Sequence, residues 1–366
     1  MYQALPGTGK TPVTSMTARE RLSYVVRIAI SHALYYSGVL HLLLRVRLRR
    51  KSVVLMYHRV LTPEQRARTA SQPGVIVEDR TFARQVVLLK RHFSVLTLDE
   101  FADHLAGRRP FRGPSCLITF DDGWVDNFDN ALPVLRAHGV PAVMFVPVSF
   151  IGCRRLFTRE ALTHLLVRVV TTARAEPRCR DVFRAHLAPL GLEPVLDIAD
   201  DNPLPAVQAL IATHRYASGP AFERLVAVLS AELGVSVAEL SDLDTFVDWA
   251  GVERLSQGGF AFGGHGADHR VLTEISPAEA RREIECSKRV LDERLPHPAR
   301  AFAYPNGGWN AEIARAVKAA GYVLAFTIDP GHVSCDDDPF ALRRVNIHDD
   351  MTRSAPLFMA RLAGLF

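Results

Sequence analysis

The run Ser115-Cys116-Leu117-Ile118-Thr119-Phe120-Asp121-Asp122-Gly123 ends an apolar, partly β-branched segment on two adjacent carboxylates and a glycine. Such a run reads as a buried strand, and Gly123 supplies the backbone freedom to leave the sheet. Asp121 and Asp122 then sit at the carboxyl end of a strand, where α/β folds keep their chemistry. Two like charges there are costly unless a cation or a shared proton relieves them. The plainer alternative is a helix N-cap. A second group lies far along the chain, at Phe262-Gly263-Gly264-His265-Gly266-Ala267-Asp268-His269. His265 and His269 are spaced i, i+4, so one helical turn puts both imidazoles on one face. Two His and one Asp make a three-ligand set with open positions, the arrangement of a catalytic metal site rather than a structural one. A third group, Ala301-Phe302-Ala303-Tyr304-Pro305-Asn306-Gly307-Gly308, reads as a strand end followed by a Pro-Asn-Gly turn.

Taken in this order, Thr119–Gly123, His265-x3-His269 and Phe302–Gly307 resemble the first three motifs of the polysaccharide deacetylases (carbohydrate esterase family 4, the NodB-homology domain). Leu55–Val60 is similar to that family's first strand, and Pro133–Val146 to the segment after its first motif. The resemblance covers about 52–150 and 246–348. It implies a deformed (β/α) barrel of about seven parallel strands, and removal of N-acetyl groups from a polysaccharide or lipid-linked saccharide. It further implies Asp121 as the catalytic base and Asp122, His265 and His269 as ligands of one divalent cation. Imidazole and carboxylate donors with open positions suit Zn²⁺, with Co²⁺ or Ni²⁺ as substitutes. Iron oxygenases use the same donor set, so the ligands alone do not choose. The free second carboxylate favours hydrolysis, because it can take a proton from an attacking water. A backbone N–H near Pro305-Asn306-Gly307 would complete an oxyanion site. Trp309 and Trp124, close to the motifs, are candidates to stack on a sugar ring.

One departure bears on activity. The family's third motif commonly reads Arg-x-Pro-aromatic, its Arg orienting the catalytic Asp; here those positions are Ala303, Pro305 and Asn306. Arg343 or Arg344, from a neighbouring strand end, is the expected replacement, against the alternative of a surface basic pair. His348, after the apolar run ending at Ile347, is the candidate general acid, and His58, at the end of the first strand, could face the same site. The lost Arg also keeps open a second reading, a weakly active or non-catalytic carbohydrate-binding relative.

The elements must bring these residues together across 366 positions. Hydrophobic content of 48% with 23% charged residues suffices for a large core. The net charge of +5 is mild, and much of it lies in Arg45, Arg47, Arg49, Arg50 and Lys51, so nucleic acid is not an indicated partner. Five scattered cysteines without a CxxC suggest neither a disulfide framework nor a thiolate metal site, and fit a reducing compartment. Residues 1–18 read as disordered and 19–51 as an apolar and basic helix. For Ile28–Leu44 three readings stand open: a helix packed on the domain, an interfacial helix with its basic cluster on anionic lipid, or a membrane span. The protein is therefore expected in the cytoplasm, with peripheral contact on the inner membrane surface through 28–51.

The deacetylase domain is expected over 52–366. Its strands fall at Ser52–Tyr57, Phe93–Leu98, Cys116–Phe120, Ala142–Pro147, Phe260–Gly264, Ala301–Tyr304, Val323–Ile328 and Phe340–Ile347. Helices alternate with them, which argues a parallel α/β architecture. The stretch 153–245 breaks this rhythm with four helical patterns and reads as an insertion over one rim of the barrel, either carrying substrate contacts or serving as a stabilising appendage remote from the site.

Overall fold

A computed structural model describes residues 18–110, 113–214 and 217–365. The chain divides into two compact units. The larger, built from 20–66, 75–153 and 246–366, forms a ring of seven strands: β1 (Ser52–Tyr57), β2 (Ser115–Phe120), β3 (Ala142–Val146), β4 (Phe260–Gly264), β5 (Ala301–Ala303), β6 (Leu324–Pro330) and β7 (Leu342–Asn346). Each pairs in parallel with the next, and β7 pairs with β1, so the sheet closes into a barrel. The strands are short, and β1, β2 and β3 are mainly apolar and wholly buried, as strands covered on both faces must be.

Strand alternation divides their side chains into two sets. Val54, Leu117, Val143, Phe145, Ala303, Phe326 and Leu342 meet in one cluster, the lumen of the barrel. Their neighbours Val53, Ile118, Met144 and Phe302 face the surrounding helices. The helix Leu98–Leu105 contributes Phe101 and Leu105 to the lumen, and its start is fixed by a capping box between Thr97 and Glu100. That cap shortens the strand expected at Phe93–Leu98 to Ser94–Val95, which pairs with the beginning of β2.

The smaller unit gathers 67–74 and 154–245. Its helices Thr158–Ala175, Arg180–Leu187, Leu204–Ala212 and Pro220–Glu232 enclose their own core, with Leu162, Leu166, Phe183, Ile211 and Leu229 at its centre. Buried Asp244 ties 67–74 to this unit, accepting from Thr69 Oγ1 (2.6 Å), the Ala70 N–H (3.0 Å) and His164 Nε2 (2.8 Å).

The N-terminal segment corrects the single helix expected over 19–51. Two helices, α1 (Ala18–Tyr36) and α2 (Val39–Arg47), are separated at Ser37-Gly38. Gly38 adopts φ +78°, a left-handed conformation that ends one helix and lets the next begin. No helix among the described residues is long and apolar enough to cross a membrane. The disordered segment expected at 1–18 lies outside the described residues, apart from Ala18.

Candidate metal and catalytic centre

Parallel register brings the motif residues to one rim. Tyr57 pairs with Phe120, Val146 with Gly264, Gly264 with Phe302, and Met56 with Asn346. The residues just beyond these pairs are His58, Asp121, His265, Pro305 and His348, all past the carboxyl ends of their strands. Backbone bonds continue the ladder there: the N–H groups of Asp121, His265 and Ile347 donate to the carbonyls of Tyr57 (2.9 Å), Val146 (3.1 Å) and Met56 (3.0 Å).

Asp122, His265 and His269 converge. Asp122 Oδ1 lies 3.4 Å from His265 Nε2 and 3.2 Å from His269 Nε2, and the three donor atoms all fall within 4.8 Å of one another. Zinc bonds of about 2.0–2.1 Å at tetrahedral angles place neighbouring ligand atoms roughly 3.3 Å apart, so this spacing fits a cation between them. The outer contacts leave the same atoms pointing inward. His265 Nδ1 bonds the Ala303 carbonyl (2.8 Å), which turns Nε2 toward the trio. Trp124 Nε1 donates to Asp122 Oδ2 (2.9 Å), which leaves Oδ1 for the histidines. Burial works against the charge of Asp122, but hydrogen bonds from His265 and His269 outweigh it and hold its pKa well below the usual carboxylate range.

The backbone here is unusual. Asp122 and His269 have φ of +75° and +57°, left-handed conformations that non-glycine residues rarely adopt outside constrained sites. Gly123 follows at +76°, and a Cβ there would come within 2.9 Å of Val146 Cγ1. The helical turn expected between the two histidines is absent: residues 265–270 form an irregular loop. Buried Glu283, on the helix Pro277–Arg294, shapes that loop by accepting from the Ala267 and Asp268 N–H groups, both at 2.8 Å. The i, i+4 spacing thus brings the imidazoles together without helical geometry.

Asp121 points into the lumen beside the trio and outside it. Fully buried Arg344 grips it in a fork, Nη1 to Oδ1 and Nη2 to Oδ2, both at 2.7 Å. The guanidinium is itself fixed by the Thr327 carbonyl (2.8 Å) and Thr119 Oγ1 (3.2 Å). Burial pushes the pKa of Asp121 up; Arg344, followed by His265, more than offsets this and holds it below the ordinary value. Of the two expected candidates only Arg344 reaches Asp121. Arg343, one residue earlier and so on the opposite face of β7, is exposed.

His58 Nε2 lies 4.0 Å from Asp121 Oδ2. The charges of His58 and His348 act on one another, and burial is the main cause that pushes His348 down to about 4. In the Pro305–Gly307 turn, the N–H groups of Gly307 and Gly308 are taken by the carbonyls of Tyr304 (2.9 Å) and Pro305 (3.0 Å), whereas Asn306 N–H is not. Asn306 itself is left-handed, at φ +51°.

Trp124 departs from the expected stacking role. Trp124 is buried, stacks on Phe246 at 4.6 Å and lies under Arg59, whose Cζ sits 4.2 Å from the ring centroid. Arg59 is buried too and pairs with Asp126 at 2.7 Å. Trp124 therefore braces Asp122 and has no face for a sugar. Trp309 is partly exposed, stacked on Tyr304 at 6.0 Å with Nε1 3.4 Å from Asp329. Nothing in the local sequence pattern distinguishes Arg59, Asp126 or Glu283 from ordinary core or helix residues.

The family described as polysaccharide deacetylase matches residues 108–161 and 191–325, which stops short of Arg344 and His348. YxkH of Bacillus subtilis, named after the polysaccharide deacetylases, is 22% identical over 239 residues, or 65% of this chain and 53% of that protein. The chain thus spans about half of that relative's length. The poly-beta-1,6-N-acetyl-D-glucosamine N-deacetylase of Staphylococcus epidermidis is 23% identical over 276 residues, 75% of this chain and 68% of its own. Among solved structures, IcaB from Ammonifex degensii superimposes with a TM-score of 0.53 at 20% identity, covering 86% of this chain and 97% of that one. At that identity the likeness supports the barrel fold.

Proposed function

Because the chain belongs to the polysaccharide deacetylase family, we propose that it hydrolyses the acetamide groups of an N-acetylated polysaccharide. A substrate built on N-acetylglucosamine is the starting point, since the relative from Staphylococcus epidermidis is named for such a polymer. The observation that carries the proposal is the division of labour between adjacent carboxylates: Asp122 faces two histidines, while Asp121 faces a buried guanidinium.

Asp122, His265 and His269 would hold the cation, for which Zn²⁺ fits the donor set and Co²⁺ or Ni²⁺ could substitute. Such a cation, when bound, polarises the acetyl carbonyl and acidifies the attacking water. Asp121 accepts the proton of that water. Arg344 keeps this carboxylate ionised and in one orientation, and each oxygen retains a second lone pair for the proton. Asn306 N–H is the backbone donor available to the developing oxyanion. His348 serves as proton donor to the leaving amine. Burial pushes its pKa down to about 4, so the ring takes a proton from solvent as negative charge builds on the acyl group, and Asp121 returns its own to solvent when acetate leaves. Arg344 supplies the guanidinium missing at position 303, and this removes the reason for reading the chain as a non-catalytic binding relative.

Acetate release from N-acetylglucosamine oligomers tests the proposal with metal-stripped protein, with protein after Zn²⁺ is restored, and with Asp121→Asn plus Zn²⁺. Release should require metal and vanish in Asp121→Asn while metal binding persists. Metal binding without acetate release from any acetylated saccharide would overturn it.

A further inference from the structure

The helices α1 and α2 carry features that catalysis does not use. Twelve large apolar side chains are exposed among the described residues, and eight of them lie on these two helices. They form stripes: Leu22, Val26 and Ile30 at i, i+4, i+8 on α1, and Val39, Leu42 and Val46 at i, i+3, i+7 on α2. The opposite side of α2 already buries Leu40 and Leu44 in the barrel's outer core. A surface helix ordinarily turns polar residues outward; this one is apolar on both faces. Contiguous exposed apolar faces rimmed by charge mark interaction surfaces.

Charge identifies the partner. Residues 21–51 contain seven Arg and Lys and no Asp or Glu, so the rest of the chain carries a net charge of −2. Beside α2 lies a cavity of about 490 Å³ lined by Arg47, Lys51, His332 and Arg361, with no carboxylate side chain lining it among the described residues. Arg47 is anchored at its mouth by a 2.7 Å bond to the Ala363 carbonyl. A second copy of the chain docking on this face would set the five cations of the Arg45–Lys51 cluster against five. A nucleic acid would have no use for the apolar stripes, and the rest of the chain, at a net −2, adds no attraction for it.

We propose that α1 and α2 dock the protein on an anionic phospholipid bilayer. The apolar stripes enter the interface, the Arg45–Lys51 cluster lies against lipid phosphates, and the cavity bounded by Arg47, Lys51, His332 and Arg361 takes a phosphate headgroup. The site uses none of the residues of the catalytic rim, so it stands independently of the deacetylase reading.

Co-sedimentation of the full chain with vesicles tests this, comparing phosphatidylcholine alone with equimolar phosphatidylcholine and phosphatidylglycerol. Binding should be confined to the mixed vesicles and should weaken as salt shortens the screening length. Each basic residue near an anionic surface contributes about fivefold to partitioning, so Arg45→Gln, Arg49→Gln and Arg50→Gln combined should weaken binding on the order of 10²-fold. The pair Leu42→Ser and Val46→Ser should weaken it by an independent route. Both variants should keep the far-ultraviolet circular dichroism and acetate release of the parent. The proposal is overturned if the parent ignores mixed vesicles, binds neutral ones equally, or binds inorganic phosphate alone. It is likewise overturned if the charge variant sediments like the parent, or if the parent forms a dimer through this face in place of binding lipid.

Discussion

Replacing Arg344 with Met tests how the site is held together. The guanidinium makes four hydrogen bonds, two of them to Asp121, and both side chains are almost wholly buried. Met fills similar volume but leaves Asp121 in the lumen without its fork, with the His58 imidazole 4.0 Å away. Breaking one side of a buried pair costs about 3–5 kcal/mol, because the remaining charge is uncompensated. The sign with pH follows from the same contacts. In the parent, Asp121 is held below its unfolded value. Its contribution to stability is therefore full above about pH 4 and fades as pH falls through the folded pKa. Without Arg344, burial, the largest single influence on Asp121 and an upward one, is opposed only by His265 and His58 among its main influences, and is expected to dominate. The folded pKa then lies above the unfolded one, and ionisation destabilises the variant as pH rises.

Urea denaturation of parent and Arg344→Met from pH 8 down to pH 5 reads this directly, each unit of pKa shift being worth about 1.4 kcal/mol. The gap between the two proteins should be widest at pH 8 and shrink on acidification. Turnover should fall by on the order of 10²-fold from misplacement of the base alone. Arg344→Lys separates charge from geometry: it keeps a cation and most of the stability, but a point charge cannot form the fork, so kcat should still fall. A stability gap that is flat between pH 5 and pH 8, or an Arg344→Lys enzyme turning over like the parent, would refute the reasoning.

Two further outcomes follow from contacts around the trio. Trp124→Phe keeps the stack on Phe246 but removes the 2.9 Å donor to Asp122 Oδ2, so metal affinity should drop about 10–100-fold with the fold intact, measured by competition with a chromogenic chelator. Glu279, bonded to Ser276 and to Arg270 next to His269, has its pKa lowered to about 2, chiefly by Ser276. A depressed carboxylate stabilises above its unfolded value and loses this as pH falls through the folded one. The difference in melting temperature between parent and Glu279→Gln should therefore be present at pH 6 and close as pH approaches 2.

How much of this was legible in the sequence depends on what each feature requires. The strand before Asp121-Asp122-Gly123 and the pairing of His265 with His269 follow from local pattern, because strand ends and close spacing are local facts. The means of convergence was not: Asp122 and His269 take left-handed backbone, Trp124 bonds the Asp122 carboxylate, and the loop before His269 is bonded by Glu283 from a separate helix. The choice between Arg343 and Arg344 was half legible. Once Leu342 is assigned to the lumen, alternation places Arg344 there and Arg343 outside, yet the assignment needs the closed barrel. Closure also explains why a guanidinium can be replaced from another strand. β7 and β2 are the two neighbours of β1, so their backbones lie about 10 Å apart at sheet spacing. The long side chain of Arg344 bridges that distance through the lumen, where side chains from every strand converge. Asp121 requires a fork of donors in the plane of its carboxylate. A barrel can present that fork from any strand whose lumen-facing position lies near the rim, so the arginine need not stay in the motif that usually carries it.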